Sequence, residues 1–176
     1  MKKILSFVLA AALCAPAFAQ KSGSTNTNAP ALKQSIEAKG ASMSLDYYSV
    51  TWAEGRTMAR LMDKENGAQA RKRLNDNAAN NAIGTFKSSV DVSCGDTMLA
   101  AGEYSVFFTI DEDLNWSINF KSGEKVHSHK LTLADSGHES KMLLLCLYAA
   151  EKGAGVYVAF GSKSGDLQFA PVAKKG

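Results

Sequence analysis

The sequence has few of the residues from which catalytic sites are usually built. It contains three cysteines and three histidines in 176 residues. It has neither the G-x-S-x-G turn of a serine hydrolase nor the G-x-x-x-x-G-K-[ST] loop that cradles phosphates. Asp135, Ser136 and His138 are close together in one predicted loop, whereas a catalytic triad brings its members from separate elements. We therefore expect neither serine-triad nor P-loop chemistry.

Apolar runs long enough to span a membrane are also lacking. The longest candidate at the start of the chain, residues 4–14, is shorter than the roughly 20 residues that a spanning helix needs. Lys2 and Lys3 precede it, and small residues follow at positions 17 and 19, which is the pattern of a secretory signal. We predict cleavage between Ala19 and Gln20, export to the periplasm or the medium, and no transmembrane segment.

The chain has little net charge. Its 20 Lys and Arg residues exceed its 17 Asp and Glu residues by three. Two of the lysines belong to the predicted signal, so the mature chain carries 18 basic and 17 acidic residues, a formal charge of +1. Because the basic excess that remains is a single residue, we expect no nucleic-acid partner.

Three regions follow one another along the chain. Residues 1–19 are the predicted signal peptide. Residues 20–40 are polar and poor in large apolar groups, and they predict a flexible arm with a brief helical turn at 35–39. Residues 41–176 predict a single β-sandwich domain, since about 157 residues after cleavage suffice for one ordinary core.

Alternation of apolar and polar residues dominates the domain. Met43, Leu45 and Tyr47 alternate with polar or half-polar neighbours, as in a half-buried strand. Helix-like spacing replaces this pattern within residues 53–80, with a break near Asn66-Gly67. The pattern predicts a mostly β fold: an antiparallel β-sandwich of about 7–8 strands with a short helical insertion.

The remaining strands are separated by turn-forming residues. We predict that residues 142–149, an almost unbroken apolar run, form a strand covered on both sides. Gly102 precedes one strand and should have a positive φ. Strands are expected within 86–94, 104–110, 115–120, 126–133, 142–149, 156–160 and 167–172, with turns at 95–96, 111–114 and 161–165.

Two cysteines remain after signal cleavage. Cys94 and Cys146 form an even pair in a chain bound for an oxidising compartment, and a disulfide between them is one interpretation. The other is a pair of buried free thiols, because cysteine packs well as a small apolar residue.

Several segments resemble a bacterial family. Tyr48-Ser49 followed by Gly55-Arg56 is similar to the "YS…KGR" opening of the domain of unknown function 2911. The stretch GDTMLAAGEYSVF, residues 95–107, is similar to its "G…LPAGTYSLF" segment, and DLNWSINF, residues 113–120, to its "DEWTVIFN" strand. The resemblance covers about residues 41–172 and implies a β-rich fold and export.

One segment departs from the family. Where the family has "WRTGANEAT", residues 74–82 read LNDNAANNA, with neither the Trp nor the Arg. Since the family has no assigned activity, the resemblance implies no catalytic residue.

The histidines are the best metal-ligand candidates. His127 and His129 are two residues apart, so on a strand both imidazoles point to one face, where they suit zinc or copper. No carboxylate or thiol follows at ligand spacing, and solvated or partly packed histidines are the alternative interpretation. We therefore predict no obligatory cofactor.

Aromatic and basic residues near the helical insertion are candidate binding residues. Tyr48 and Trp52 belong to a set of aromatics that suits stacking on a sugar, although aromatics at strand spacing usually belong to a core. Arg56 begins a basic cluster interleaved with acids, which also suits a solvated helix face.

Three hypotheses for function follow from these features. The first is a non-catalytic module of the cell envelope that binds a small ligand or another envelope protein. The second is a metal-dependent or hydrolytic enzyme that uses His127 and His129. The third is a structural or assembly role, which a large exposed apolar patch would favour.

Overall fold

A computed structural model describes residues 29–51 and 56–172, with side chains from residue 58 onward in the second range. The predicted signal, its cleavage position, Trp52 and the side chain of Arg56 lie outside the described residues. No helix in the described ranges is long and apolar enough to cross a membrane. The elements in chain order are β1 Ala31–Ala38, β2 Ala41–Tyr48, α1 Arg56–Leu61, α2 Ala68–Ala78, β3 Gly84–Ser88, β4 Val92–Cys94, β5 Thr97–Leu99, β6 Gly102–Ile110, β7 Trp116–Ser122, β8 Lys125–Lys130, β9 Ala134–Ala150 and β10 Gly153–Pro171.

These strands form two antiparallel sheets. The larger has the order β1-β2-β3-β6-β7-β8, and the smaller has the order β5-β4-β10-β9. The predicted fold class, a mostly β antiparallel sandwich with short helices, is confirmed. The described part has ten strands and not the predicted 7–8, because β1 and β5 were not predicted and the predicted strand at 86–94 is two strands, β3 and β4. The strands predicted at 156–160 and 167–172 belong to the single strand β10.

An aromatic cluster joins the two sheets at the centre. The rings of Phe86 on β3 and Phe169 on β10 stack with centroids 4.7 Å apart. Phe120 on β7 meets both rings edge-on, at 5.6 Å and 5.8 Å. All three side chains are 2% exposed or less. Burial of such large apolar surfaces between the sheets is the main stabilising contribution to this fold.

The first strand replaces part of the predicted arm. β1 pairs with β2 over all eight of its residues, and the turn at Lys39-Gly40 has φ of 52° and 76°. Two consecutive positive φ values are typical of the tight hairpin turn that matches strand twist. The predicted helical turn at 35–39 is therefore wrong, since the backbone hydrogen bonds of that segment go to β2. Residues 20–28 lie outside the described residues.

The helices occur where the spacing predicts them, with the break at Gly67. A Cβ on Gly67 would lie 2.3 Å from the backbone oxygen of Asp63, so only glycine fits there. The buried guanidinium of Arg71 donates to the backbone oxygens of Leu61 and Asp63 at 2.9 Å and 2.7 Å. Arg71 thus satisfies carbonyl groups at the end of α1 and holds the two helices together.

β9 is covered on one face only, which corrects the prediction for residues 142–149. Leu143 and Leu145 are fully buried, whereas Leu144 is 42% exposed and Cys146 is exposed. The run is apolar on both faces, but only alternate residues reach the core. The strand also begins earlier than predicted, so the segment that contains Asp135, Ser136 and His138 is extended strand and not a loop.

β10 folds back on itself. Gly153 and Phe169 are sixteen residues apart, a span of about 53 Å in a straight strand. Yet a Cβ on Gly153 would lie 2.3 Å from the backbone oxygen of Phe169. The reversal coincides with register shifts on both sides of Gly161, whose φ is +53°. It lies in the predicted turn at 161–165, although the residues there stay hydrogen-bonded to β9.

Side-chain and backbone hydrogen bonds close one open side of the sandwich. Leu143 donates its backbone N–H to the oxygen of Val50 at 2.8 Å and accepts from the hydroxyl of Ser49 at 2.7 Å. Gln34 on β1 bonds the backbone of β9 further along. These contacts cover polar groups on the edge of β9 that a further strand would otherwise pair.

Candidate functional site

The opposite open side of the sandwich contains the predicted histidines. β8 is an edge strand, and its register sets His127 beside Phe120 and His129 beside Ile118. Directly paired residues point to the same face of a sheet, so both imidazoles point toward the sandwich interior. Because the strand is at the edge, they are only partly buried.

β5 of the smaller sheet lies beside β8 on this side. The hydroxyl of Thr97 donates to the backbone oxygen of Ser128 at 3.2 Å. Gly95 passes beneath His129, and a Cβ there would lie 3.0 Å from the imidazole Cε1. Glycine at this turn, where φ is +55°, therefore permits the close approach of the two edges.

A cavity of about 390 Å³ opens between these edges. It combines an apolar wall with charged and polar groups contributed by both sheets. Its lining residues are Asp91, Met98, Leu99, Ala100, Tyr104, Ser122, Lys125 and His127.

Hydrogen bonds and ring packing fix two walls of the cavity. The Tyr104 hydroxyl donates to the backbone oxygen of Ala100 at 2.8 Å, and Asp91 Oδ1 accepts from the backbone N–H of Ala101 at 2.8 Å. The ring of His127 meets the ring of Tyr104 edge-on, with centroids 6.0 Å apart.

The ionisable groups in the cavity are perturbed by their surroundings. Burial and, to a smaller extent, the charge of Lys125 hold the pKa of His127 below its usual value of 6.5. Burial raises the pKa of Tyr104, and the charge of Asp91 adds to this effect. Perturbed groups in a concave site are a physical reason to regard it as functional.

The two histidines have different surroundings. His127 borders the cavity beside Tyr104, whereas His129 packs over Gly95. Within residues 29–51 and 56–172 no group of three His, Cys, Asp or Glu side chains is arranged to hold a metal ion. For the candidate histidines His127 and His129 to bind zinc or copper, a further ligand would have to come from outside these two side chains.

The other predicted binding residues do not join this cavity. Tyr48 is half-buried on β2, which is four strand positions from β8 in the larger sheet, or about 19 Å. Trp52 and the side chain of Arg56 lie outside the described residues. The structure therefore separates Tyr48 from the histidines.

The predicted disulfide is not formed, because both cysteines are free. Cys94 is on β4 and Cys146 on β9, with β10 between these strands. Ala170 of β10 pairs with Ser93 beside Cys94, whereas Cys146 pairs with Tyr157, thirteen residues earlier in β10. A disulfide needs Cα atoms closer than about 7 Å.

The thiols differ in their surroundings. Burial raises the pKa of Cys94 to about 11, which disfavours the reactive thiolate. Cys146 is exposed on the outer face of the smaller sheet. The alternative of two buried free thiols is thus half right.

A second cavity, of about 570 Å³, lies between α2 and the connection that follows β6. Most of its polar groups already bind within the protein. Arg71 donates to backbone oxygens near the end of α1, and Asn75 exchanges two hydrogen bonds with the backbone of Ile110. The Asp111 carboxylate accepts from Asn115, which lowers its pKa. This cavity has fewer free groups for a ligand than the one at the β5–β8 edge.

Comparison with known proteins identifies no relative. The chain matches no protein-family model, no curated protein and no solved structure. The resemblance to the domain of unknown function 2911 therefore stays a prediction from short motifs.

Sequence reasoning found one residue of the cavity and missed its neighbours. Lys125 is two residues before His127, so strand alternation alone places both on one face. Tyr104 has the same parity on β6 as the buried Val106 and Phe108, a signal of inward orientation. Asp91 had no such signal, because its position depends on the long-range pairing of β4 with β10.

Proposed function

We propose that this protein is an exported module that binds a small ligand in the cavity at the β5–β8 edge and carries out no chemistry on it. The observation that carries the proposal is the cavity itself. Its volume falls within the roughly 300–1,000 Å³ usual for ligand sites, and it combines an apolar wall with a few polar groups. Export rests on the signal pattern at residues 1–19 and is part of the proposal.

Binding is favoured over catalysis by the chemistry of the groups present. Catalysis usually needs an acid, base or nucleophile positioned by a further group. His127 packs on an aromatic edge, and its imidazole accepts or donates no hydrogen bond within the described residues. Recognition needs only shape and a few polar contacts, which the cavity supplies.

Screening a library of small metabolites by thermal shift tests the proposal. A ligand of the cavity should raise the melting temperature of the wild-type protein and not of His127→Ala. His138→Ala is the matched control, since His138 is on β9 and does not line the cavity. A ligand that stabilises all three proteins equally binds outside the cavity and contradicts the proposal. Enzymatic turnover of a compound by the wild type and by His138→Ala, but not by His127→Ala, would contradict it as well.

A further inference from the structure

The end of the cavity formed by β8 is positively charged. Lys125 and His127 both line it from the same face of the strand. Within the described residues neither side chain has an ion-pair or hydrogen-bond partner. Lys87 and Lys163, by contrast, each contact a carboxylate, at 2.7 Å and 2.8 Å. Two unpaired cationic or donor groups facing a concave space suit an anionic group of a ligand.

The opposite wall contributes a negative charge. Asp91 lies just before β4 and lines the same cavity. One carboxylate oxygen accepts from the backbone N–H of Ala101, and the other has no partner in the described part of the chain. Asp91 faces the cavity from the β4 side and Lys125 from β8 of the other sheet, and no ion pair joins the two within the described residues.

The cavity lining also includes an apolar surface. Leu99 is fully buried beneath the cavity, and Met98 is 49% exposed at its rim. The ring of Tyr104 completes this wall. The volume of about 390 Å³ is near the lower end of the roughly 300–1,000 Å³ usual for ligand sites, which suits a small occupant.

We infer that the ligand of this cavity is a small zwitterion of the amino-acid type. Lys125 and His127 hold its carboxylate, Asp91 holds its ammonium group, and its apolar side chain contacts Met98 and Tyr104. The inference rests on the binding function proposed above and adds the chemical class of the ligand. One lysine with one imidazole matches a single negative charge, and Asp91 disfavours a ligand that is only anionic.

Three matched probes test both ends of the ligand. Leucine carries both charges, 4-methylpentanoate lacks the amine, and 3-methylbutylamine lacks the carboxylate. Titrations followed by NMR should show that wild-type protein binds leucine at least roughly tenfold more tightly than either single-charge probe, as expected when one charged contact is removed.

Two conservative variants assign the contacts. Asp91→Asn keeps an oxygen for the Ala101 N–H, so the loop should fold, but the preference for leucine over 4-methylpentanoate should disappear. Lys125→Gln should weaken both carboxylate probes by roughly tenfold. His138→Gln is the control and should bind like wild type. Bound leucine should also raise the pKa of His127, since a nearby carboxylate favours the imidazolium. If Lys125 had only a structural role, leucine would not bind beside His127 and this rise would not occur.

The outcomes separate this inference from the proposed function. Equal affinity of wild-type protein for leucine and 4-methylpentanoate overturns the zwitterion. If all three probes fail while a different class of compound binds in a manner that depends on His127, the zwitterion is overturned and the binding function stands. If no compound shifts the resonances of cavity residues, both are overturned.

Discussion

Gln34 on β1 donates a hydrogen bond from its side-chain Nε2 to the backbone oxygen of Leu145 on β9, at 2.6 Å. Its Oε1 accepts from the backbone N–H of Leu147 at 2.7 Å. One amide side chain thus reproduces the donor and acceptor that a neighbouring strand would present. It does so between edge strands of two different sheets, which closes the sandwich without a continuous ladder.

Replacing Gln34 should therefore destabilise the fold. Gln34→Leu leaves the Leu145 oxygen and the Leu147 N–H without partners, at a cost of about 1–3 kcal/mol in the free energy of unfolding. Urea denaturation measures this difference. Ser35→Ala is the control, because Ser35 is exposed and a change there should stay within about 0.5 kcal/mol. Similar midpoints for the two variants would show that the amide contributes little.

Two glycines with nearly equal φ allow the contact at the β10 reversal to be isolated. Gly153 has φ of +156° and Gly102 has φ of +154°, which confirms the sign predicted for Gly102. No atom lies within 4 Å of a Cβ on Gly102, whereas a Cβ on Gly153 meets the Phe169 oxygen at 2.3 Å. Gly102→Ala should cost about 1 kcal/mol through the backbone alone.

Gly153→Ala adds a steric cost to the same backbone cost. We expect it to lower the free energy of unfolding by at least about 1 kcal/mol more than Gly102→Ala, because the carbonyl of Phe169 must move. Thermal and chemical unfolding of both variants measure the difference. Equal destabilisation would mean that β10 does not fold back as described.

The aromatic cluster sets the largest expected effect. Phe86→Ala removes the ring that contacts both Phe120 and Phe169, and it should cost about 3–5 kcal/mol. Should this variant fail to fold, Phe86→Leu gives a smaller loss that equilibrium unfolding still measures. Val126→Ala on β8 is the comparison, since Val126 is 46% exposed and its truncation should be nearly neutral. A tolerant Phe86 would contradict the placement of the core between the sheets.

The cysteines should differ in reactivity toward a thiol reagent. On the chain that begins at Gln20, Ellman's reagent should label one thiol quickly at neutral pH, and Cys146→Ser should abolish that reaction. Cys94 should react only after denaturation, because it is buried and its pKa is raised to about 11. Intact mass should show both residues reduced, and a loss of two hydrogens would indicate the disulfide that the structure excludes.

Titration of His127 should reveal its surroundings. Its pKa is lowered by burial and then by Lys125, so between that pKa and 6.5 the folded state binds fewer protons than the unfolded state. The stability that His127 contributes is therefore complete above pH 6.5 and is lost as the pH falls through this window. NMR titration should show that Lys125→Gln raises the pKa of His127 only part of the way to 6.5, because burial remains. An unchanged pKa in that variant would contradict the electrostatic pairing.

The pattern of neighbouring residues predicted those strands and helices whose structure depends mainly on neighbouring residues. The alternation of Met43, Leu45 and Tyr47 gave β2, and glycine at position 67 gave the break between the helices. The pattern failed at β1, where Leu32 and Ile36 are the only large apolar residues and pairing with β2 decides the structure. It also failed at β9, because an apolar run does not reveal whether its second face has a partner sheet.

The candidate site was predictable only in part for the same reason. His127 and Lys125 share a face by strand geometry, which a sequence displays. Asp91 and Leu99 belong to the local β4–β5 hairpin, which is positioned by the pairing of β4 with the distant strand β10. The predicted cysteine pairing erred in a related way, since shared apolar strand context does not state how many strands lie between two residues.

The hydrogen bond between Gln34 and Leu145 also bears on the rate of folding, because 111 residues separate its partners in the sequence. The β1–β2 hairpin involves only neighbouring residues and is able to form as soon as residue 48 is available. Closure of the sandwich must wait for β9, near the other end of the chain, and such distant contacts slow folding. For a chain delivered from its N-terminus, the first strand to arrive would be among the last to be locked, with its edge exposed to other chains in the interval.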